Sequence, residues 1–256
     1  MIALEHTLER EVLIHVRRAA VSRYLTDSER FAAWMGAGSH IDATPGGAMV
    51  IRYPTGVLAS GRVVEMEPER RIVFTYGYDA ADGPIPPGGS RVTMTFEEAA
   101  DGTLVRLRHE LAEAAVRDHH VQGWRYQLAL LANLVASEVH ARLAERIDGF
   151  FAAWGEADAE ARRAALAAVA TDNLAFRDRY SCTSGIDDLV AHLGGFQFHM
   201  PGVVPVREGE VRHCQGVAVV NWVAQGQDGT IRGRGTNVVE LDPDGRIARV
   251  TGLWSS

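Results

Sequence analysis

Residues 172–180 read as a strand, and strand side chains alternate between faces, so Leu174, Phe176, Asp178 and Tyr180 share one side. An acid on an apolar face is suited to taking a proton from a carbon beside a carbonyl, because burial raises a carboxyl toward neutral pH. The later strand 231–241 sets Asn237 on a face with Val239 and Leu241. Asn237 and Tyr180 can hold a developing enolate oxygen by hydrogen bonds, although an amide cannot act as the base. The plainer alternative for Asp178 is a pair with Arg177 or Arg179, or a turn cap. A second set is His120, Trp124, Leu128 and Leu131, one helical stripe at three- and four-residue spacing. It is either core, with His120 hydrogen-bonded and Trp124 as a packing anchor, or the wall of a cavity for an apolar ligand with one polar contact. Phe176 and Trp222 are further ligand-binding candidates, as is His199 in the aromatic loop expected at Phe196–Pro201. His213, near Cys214, completes the histidines of interest. None has a metal spacing such as HExxH, so neither a metal nor a cofactor is expected.

The composition removes several chemistries. All 26 basic residues are arginine, which excludes lysine Schiff bases and a phosphate-loop lysine. The net charge of −7 is spread evenly: residues 1–138 carry 14 Arg against 18 acids and residues 139–256 carry 12 against 15. Neither half has a basic footprint for nucleic acid. Cys182 and Cys214 lack CxxC partners, so neither a zinc site nor a disulfide is expected, in keeping with a reducing cytoplasm. The start MIALEHTLEREVL has no basic-then-apolar leader, and no stretch approaches the ~18 apolar residues of a membrane span. No membrane insertion is expected.

The 256 residues favour two domains. In the first half, a strand at 8–16 leads to short helices opened by Thr26-Asp27-Ser28-Glu29. Strands at 48–53, 57–66, 71–78, 91–98 and 103–111 follow, punctuated by turns such as Pro54-Thr55-Gly56 and Ala100-Asp101-Gly102. One long helix over about 114–146 closes the unit. The second half starts with alanine-rich helices at 142–155 and 158–169, then a short strand at 172–180, a helix at 185–193, and four strands at 203–214, 216–225, 231–241 and 246–254. Both halves are α+β.

Phe31-Ala32-Ala33-Trp34-Met35, Gly46-Gly47, Gly61-Arg62-Val63-Val64-Glu65, Pro68-Glu69-Arg70-Arg71-Ile72-Val73-Phe74 and His120-Val121-Gln122-Gly123-Trp124 resemble the heat-shock protein 90 ATPase activator homologue family. That resemblance implies a START-like helix-grip domain over residues 1–140, whose curved sheet wraps the long helix. Phe150-Phe151-Ala152-Ala153-Trp154, Leu174-Ala175-Phe176-Arg177-Asp178, Ser184-Gly185-Ile186-Asp187-Asp188-Leu189, Asn221-Trp222 and Asp244-Gly245-Arg246-Ile247 resemble the SnoaL-like, nuclear transport factor 2-like superfamily. This second resemblance implies a cone-shaped α+β barrel over 141–256 with an apolar pocket and an acid at its floor. Arg179 departs from that pattern, which often has proline there, and Asn237 stands where many relatives carry an acid. The expectation is a protein that binds small hydrophobic or polyketide-like molecules in these pockets. The alternatives are a cofactor-free cyclase or isomerase using Asp178, and a stress-related, co-chaperone-like interaction protein. Relatives of the second half commonly pair through their sheets, which adds a homodimer to the expectations.

Overall fold

The computed structural model describes residues 3–255, so residues 1–2 and 256, at the outer ends of the two expected domains, lie outside the described residues. The chain divides into two compact units, the first ending at Ala136 and the second beginning at Ser137.

In the first unit, β1 (His6–Ile14) is followed by α1 (Arg18–Thr26) and α2 (Ser28–Met35). Asp27 separates these helices because its extended backbone ends one and its carboxylate caps the other, accepting from Arg30 N at 2.9 Å. The meander β2 (His40–Ile41), β3 (Ala48–Arg52), β4 (Leu58–Glu67), β5 (Arg71–Tyr78), β6 (Ser90–Ala99) and β7 (Gly102–Leu111) builds a wholly antiparallel sheet in the order β1-β7-β6-β5-β4-β3-β2. The long helix α3 (Ala114–Val139) buries His120, Trp124, Leu128, Leu131, Ala132, Val135 and Ala136. The helix expected to run to 146 stops at Val139. Trp34 is structural: it is buried and its indole N–H donates to Tyr24 O at 2.9 Å.

The second unit opens with α4 (Leu143–Ala152), a 3-10 turn (Ala153–Gly155) and α5 (Ala159–Val169), whose cap is the Asp158 carboxylate accepting from Ala161 N. Then come β8 (Ala170–Arg177), β9 (Cys182–Ser184), α6 (Ile186–His199), β10 (Val204–Cys214), β11 (Val217–Gln225), β12 (Ile231–Leu241) and β13 (Ile247–Trp254). The sheet order is β10-β11-β12-β13-β8-β9, antiparallel except for the parallel pair β13–β8. Among the described residues the sheet is open, with β10 and β9 at its edges, so the expected cone is a curved sheet and not a closed barrel. Helices and sheet enclose a core that includes Ile147, Phe150, Leu166, Leu174, Leu189, Leu193, Val220 and Val250.

Two local expectations are corrected here. The strand expected to reach residue 180 ends at Arg177, because Asp178 N bonds Ser181 O at 2.9 Å and Asp178 Oδ1 accepts from Tyr180 N at 2.8 Å. Aspartate side chains readily close such turns, and that preference ends the strand alternation before Tyr180. The aromatic run containing His199 is the end of α6 and not a loop.

Candidate functional sites

Each unit holds its own cavity. The first lies among α2, β5 and α3, and Met35, Tyr53, Tyr76, Tyr78, His120, Trp124 and Gln127 are among its lining residues. It measures about 140 Å3. Tyr53, Tyr78 and His119 also line an outer groove of about 420 Å3, which therefore adjoins the cavity.

A hydrogen-bond network determines which atoms this cavity can offer. Ser90 Oγ donates to Tyr76 O at 2.9 Å, so it accepts from His109 Nε2 at 2.8 Å. Trp124 Nε1 donates to His109 Nδ1 at 3.0 Å. His109 is therefore the neutral Nε2–H tautomer, and an added proton would face the Trp124 N–H. Burial is the main cause that pushes its pKa down to about 3, with His120 nearby adding to the effect. His120 Nδ1 lies 2.7 Å from Val116 O, which can only accept, so Nε2 is bare and Tyr78 Oη donates to it at 3.0 Å. Burial lowers the His120 pKa as well. The Tyr53 and Tyr76 hydroxyls meet at 2.9 Å. Burial raises Tyr53 to about 12 and Tyr76 far above the ordinary phenol value. These tyrosines thus stay protonated, and no Asp, Glu or Arg is among the described lining residues. One acceptor is left over: Gln127 Oε1 is buried without a hydrogen-bond partner among the described residues.

The sequence candidates His120 and Trp124 both line this cavity. Leu128 is buried but lies in the core and does not line the cavity. His109, Tyr53, Tyr76, Tyr78 and Gln127 were not singled out from the sequence. His109 was within reach, since it shares its strand face with Val105, Leu107 and Leu111. Gln127 was too, three residues after Trp124 and seven after His120 on one helix face.

The second cavity measures about 30 Å3 and is lined by Phe151, Trp154, Phe176, Phe196, Trp222 and Trp254 together with Asp178, Asn237, Pro205, Ala224 and Gly252. Strand register explains why these side chains meet. Asn237 pairs with Gly252 across β12 and β13, and Thr251 pairs with Arg177, which puts Asp178 beside Gly252. A Cβ on Gly252 would stand 3.0 Å from Asp178 Cβ and 3.3 Å from Asn237 Oδ1, so the bare glycine is what lets acid and amide flank it. Gly235 similarly pairs with both Trp222 and Trp254, and a Cβ there would come within 2.4 Å of the Trp222 ring. The two indoles consequently meet edge to face at 4.9 Å.

Trp222 Nε1 donates to Asn237 Oδ1 at 2.8 Å, and Trp254 Nε1 donates to Asp178 Oδ2 at 3.1 Å. Arg177 is turned to Thr251 Oγ1, and Arg179 lies over the Tyr180 ring. Among the described residues neither arginine forms an ion pair with Asp178. The third indole differs: Trp154 is only 8% exposed, and its N–H has no acceptor among the described residues.

Four sequence candidates, Asp178, Asn237, Phe176 and Trp222, are thus brought together. Two are not. Tyr180 is 68% exposed, with its ring against Trp254, and its hydroxyl does not line the cavity. His199, exposed at the last turn of α6, meets the Phe198 ring edge to face and is also outside. Trp254 was missed because its place depends on register, which a single sequence does not carry. His213 accepts from Gly216 N at 3.1 Å and lies 3.0 Å from His140 Nδ1. Among the described residues no cluster of three or more His, Cys, Asp or Glu could hold a metal, and no helix is long and apolar enough to cross a membrane.

No curated protein matches the chain. A protein of the SnoaL-like family from Agrobacterium tumefaciens is 26% identical over 46% of this chain and 99% of its own, with a TM-score of 0.42. The Aha1 dimer from Colwellia psychrerythraea is 16% identical over 52% of this chain and 93% of its own, with a TM-score of 0.44. An AHSA1-like protein from Rhizobium etli is 30% identical over 51% of this chain and 82% of its own, with a TM-score of 0.43. The family model described as "Activator of Hsp90 ATPase homolog 1-like protein" matches residues 15–136, so the first unit is similar to that family.

Proposed function

We propose that this protein binds a small, neutral, partly apolar molecule in the cavity of its first unit. The observation that carries this reading is the unpaired Gln127 Oε1 in a wall that has phenol hydroxyls and the His120 imidazole but no Asp, Glu or Arg among the described residues. A buried acceptor left without a donor costs on the order of 1–3 kcal/mol, and a ligand O–H or N–H recovers that cost. The volume of about 140 Å3, adjoined by the groove, suits a ligand held at one end with the remainder in that groove. Burying a charged ligand there would meet no opposite charge. Calorimetry with 2-naphthol and its carboxylate analogue 2-naphthoate tests the reading. Saturable binding of the naphthol, with the naphthoate at least roughly tenfold weaker, is expected. Equal affinity for both, or no saturable binding of naphthol, would refute it.

A second reading, a proton-transfer enzyme, is favoured by Asp178 alone. It lines the second cavity beside Asn237, free of any arginine pair among the described residues. Asp178→Asn keeps the shape and removes the base, so proton exchange beside the carbonyl of a bound ketone, followed by NMR in deuterated water, should fall by roughly a hundredfold or more. Unchanged exchange would set this reading aside. The family's description speaks of activating a chaperone ATPase. The cavity chemistry supports ligand binding ahead of that co-chaperone reading, and the small-molecule partner does not depend on it. The second cavity, at about 30 Å3, is too tight to enclose a polyketide-sized molecule.

A further inference from the structure

We infer that the second cavity recognises a small organic cation, an alkylated ammonium group whose carbon chain also bears an oxygen. The inference concerns a different unit from the neutral-ligand cavity and does not depend on it. Six aromatic side chains, Phe151, Trp154, Phe176, Phe196, Trp222 and Trp254, surround the space. Asp178 is the one acid among the described lining residues, and none of them is basic. Aromatic faces carry negative potential and attract a cation, most strongly for tryptophan, and a weakly hydrated alkylammonium gives up less solvation on entry than a bare ammonium does.

Asp178 is held in place by Trp254 Nε1 on one carboxylate oxygen and Tyr180 N on the other. It is therefore a fixed counter-charge at the side of the cage. The volume of about 30 Å3 fits a compact head group better than a fused-ring ligand. The oxygen in the proposed ligand follows from Trp154, whose buried N–H lacks an acceptor among the described residues. A hydroxyl or ester oxygen next to the ammonium would supply one. A purely apolar occupant would leave that donor without an acceptor and bring no positive charge to the carboxylate.

Choline and its neutral isostere 3,3-dimethylbutan-1-ol have the same shape and hydroxyl and differ by the charge. Calorimetric titration of the full chain should show saturable choline binding, with the isostere weaker by roughly tenfold or more. Asp178→Asn should remove most of that preference, and so should Trp222→Leu, two substitutions that act on different parts of the cage. Circular dichroism on both variants confirms folding. Equal affinity for choline and the isostere overturns the inference, as does the absence of saturable choline binding. Choline binding that survives both substitutions places the cation elsewhere and overturns it too. Since naphthol is read at the other cavity, either result leaves the proposed function to stand or fall separately.

Discussion

The two cavities use aromatic walls for opposite electrostatic ends. In the first unit every titratable group with a shifted pKa at the cavity is displaced toward its neutral form: Tyr53 and Tyr76 upward, His109 and His120 downward, each chiefly by burial. In the second, indole N–H groups are spent on an acid and an amide, and the acid sits at the edge of the space where water still reaches it. Similar residue types thus produce a neutral site where the polar groups satisfy each other in depth, and a charged one where a carboxylate is anchored at a rim. The difference comes from backbone placement. His109 faces inward from the middle of a long strand, whereas Asp178 stands one residue beyond a strand end.

The largest effects should fall on the first unit. Trp124→Ala removes a buried ring and the donor that fixes His109, and should cost roughly 3–5 kcal/mol in chemical denaturation. Trp254→Ala, from a half-buried indole, should cost less; equal losses would erase the contrast. Acid should act in the same direction. The folded pKa of His109 is lowered from 6.5 to about 3, so below pH 6.5 the unfolded chain binds the extra proton. The stability contributed by burying neutral His109 is complete above about pH 6.5 and is lost as pH falls toward 3, on the order of 5 kcal/mol in all. Thermal denaturation across that range, against a His109→Gln variant with a flatter acid limb, checks it. Gln127→Met should weaken naphthol binding roughly fivefold by removing the open acceptor, while leaving choline binding unchanged. Smallest is Gly123→Ala: nothing lies within 4 Å of the added methyl, so the better helix former should raise stability by about 0.8 kcal/mol.

Where side-chain period alone decides position, the sequence was readable. Strands β3 to β7, the helical stripe His120–Trp124–Leu128 and the inward row Asn237–Val239–Leu241 follow from alternation and helical spacing. Asp178 and Asn237 were identified as partners, yet the glycine that joins them, Gly252, was not, because pairing register depends on the folded sheet. Tyr180 failed for a local reason: the aspartate two residues earlier makes a turn of its own, and period two stops there. His199 failed because α6 runs six residues beyond the expected end and turns it to the surface. The openness of the second sheet was likewise outside what a strand count can tell.

The five tryptophans place a reporter in each site, and one NMR measurement separates them. Trp124 borders the first cavity, Trp154, Trp222 and Trp254 border the second, and Trp34 borders neither. In a proton–nitrogen correlation spectrum of the full chain, saturating 2-naphthol should move the Trp124 indole signal and leave those of Trp154, Trp222 and Trp254 in place. Naphthol shifts confined to those three, or no shift at Trp124, would contradict a neutral-ligand site in the first unit.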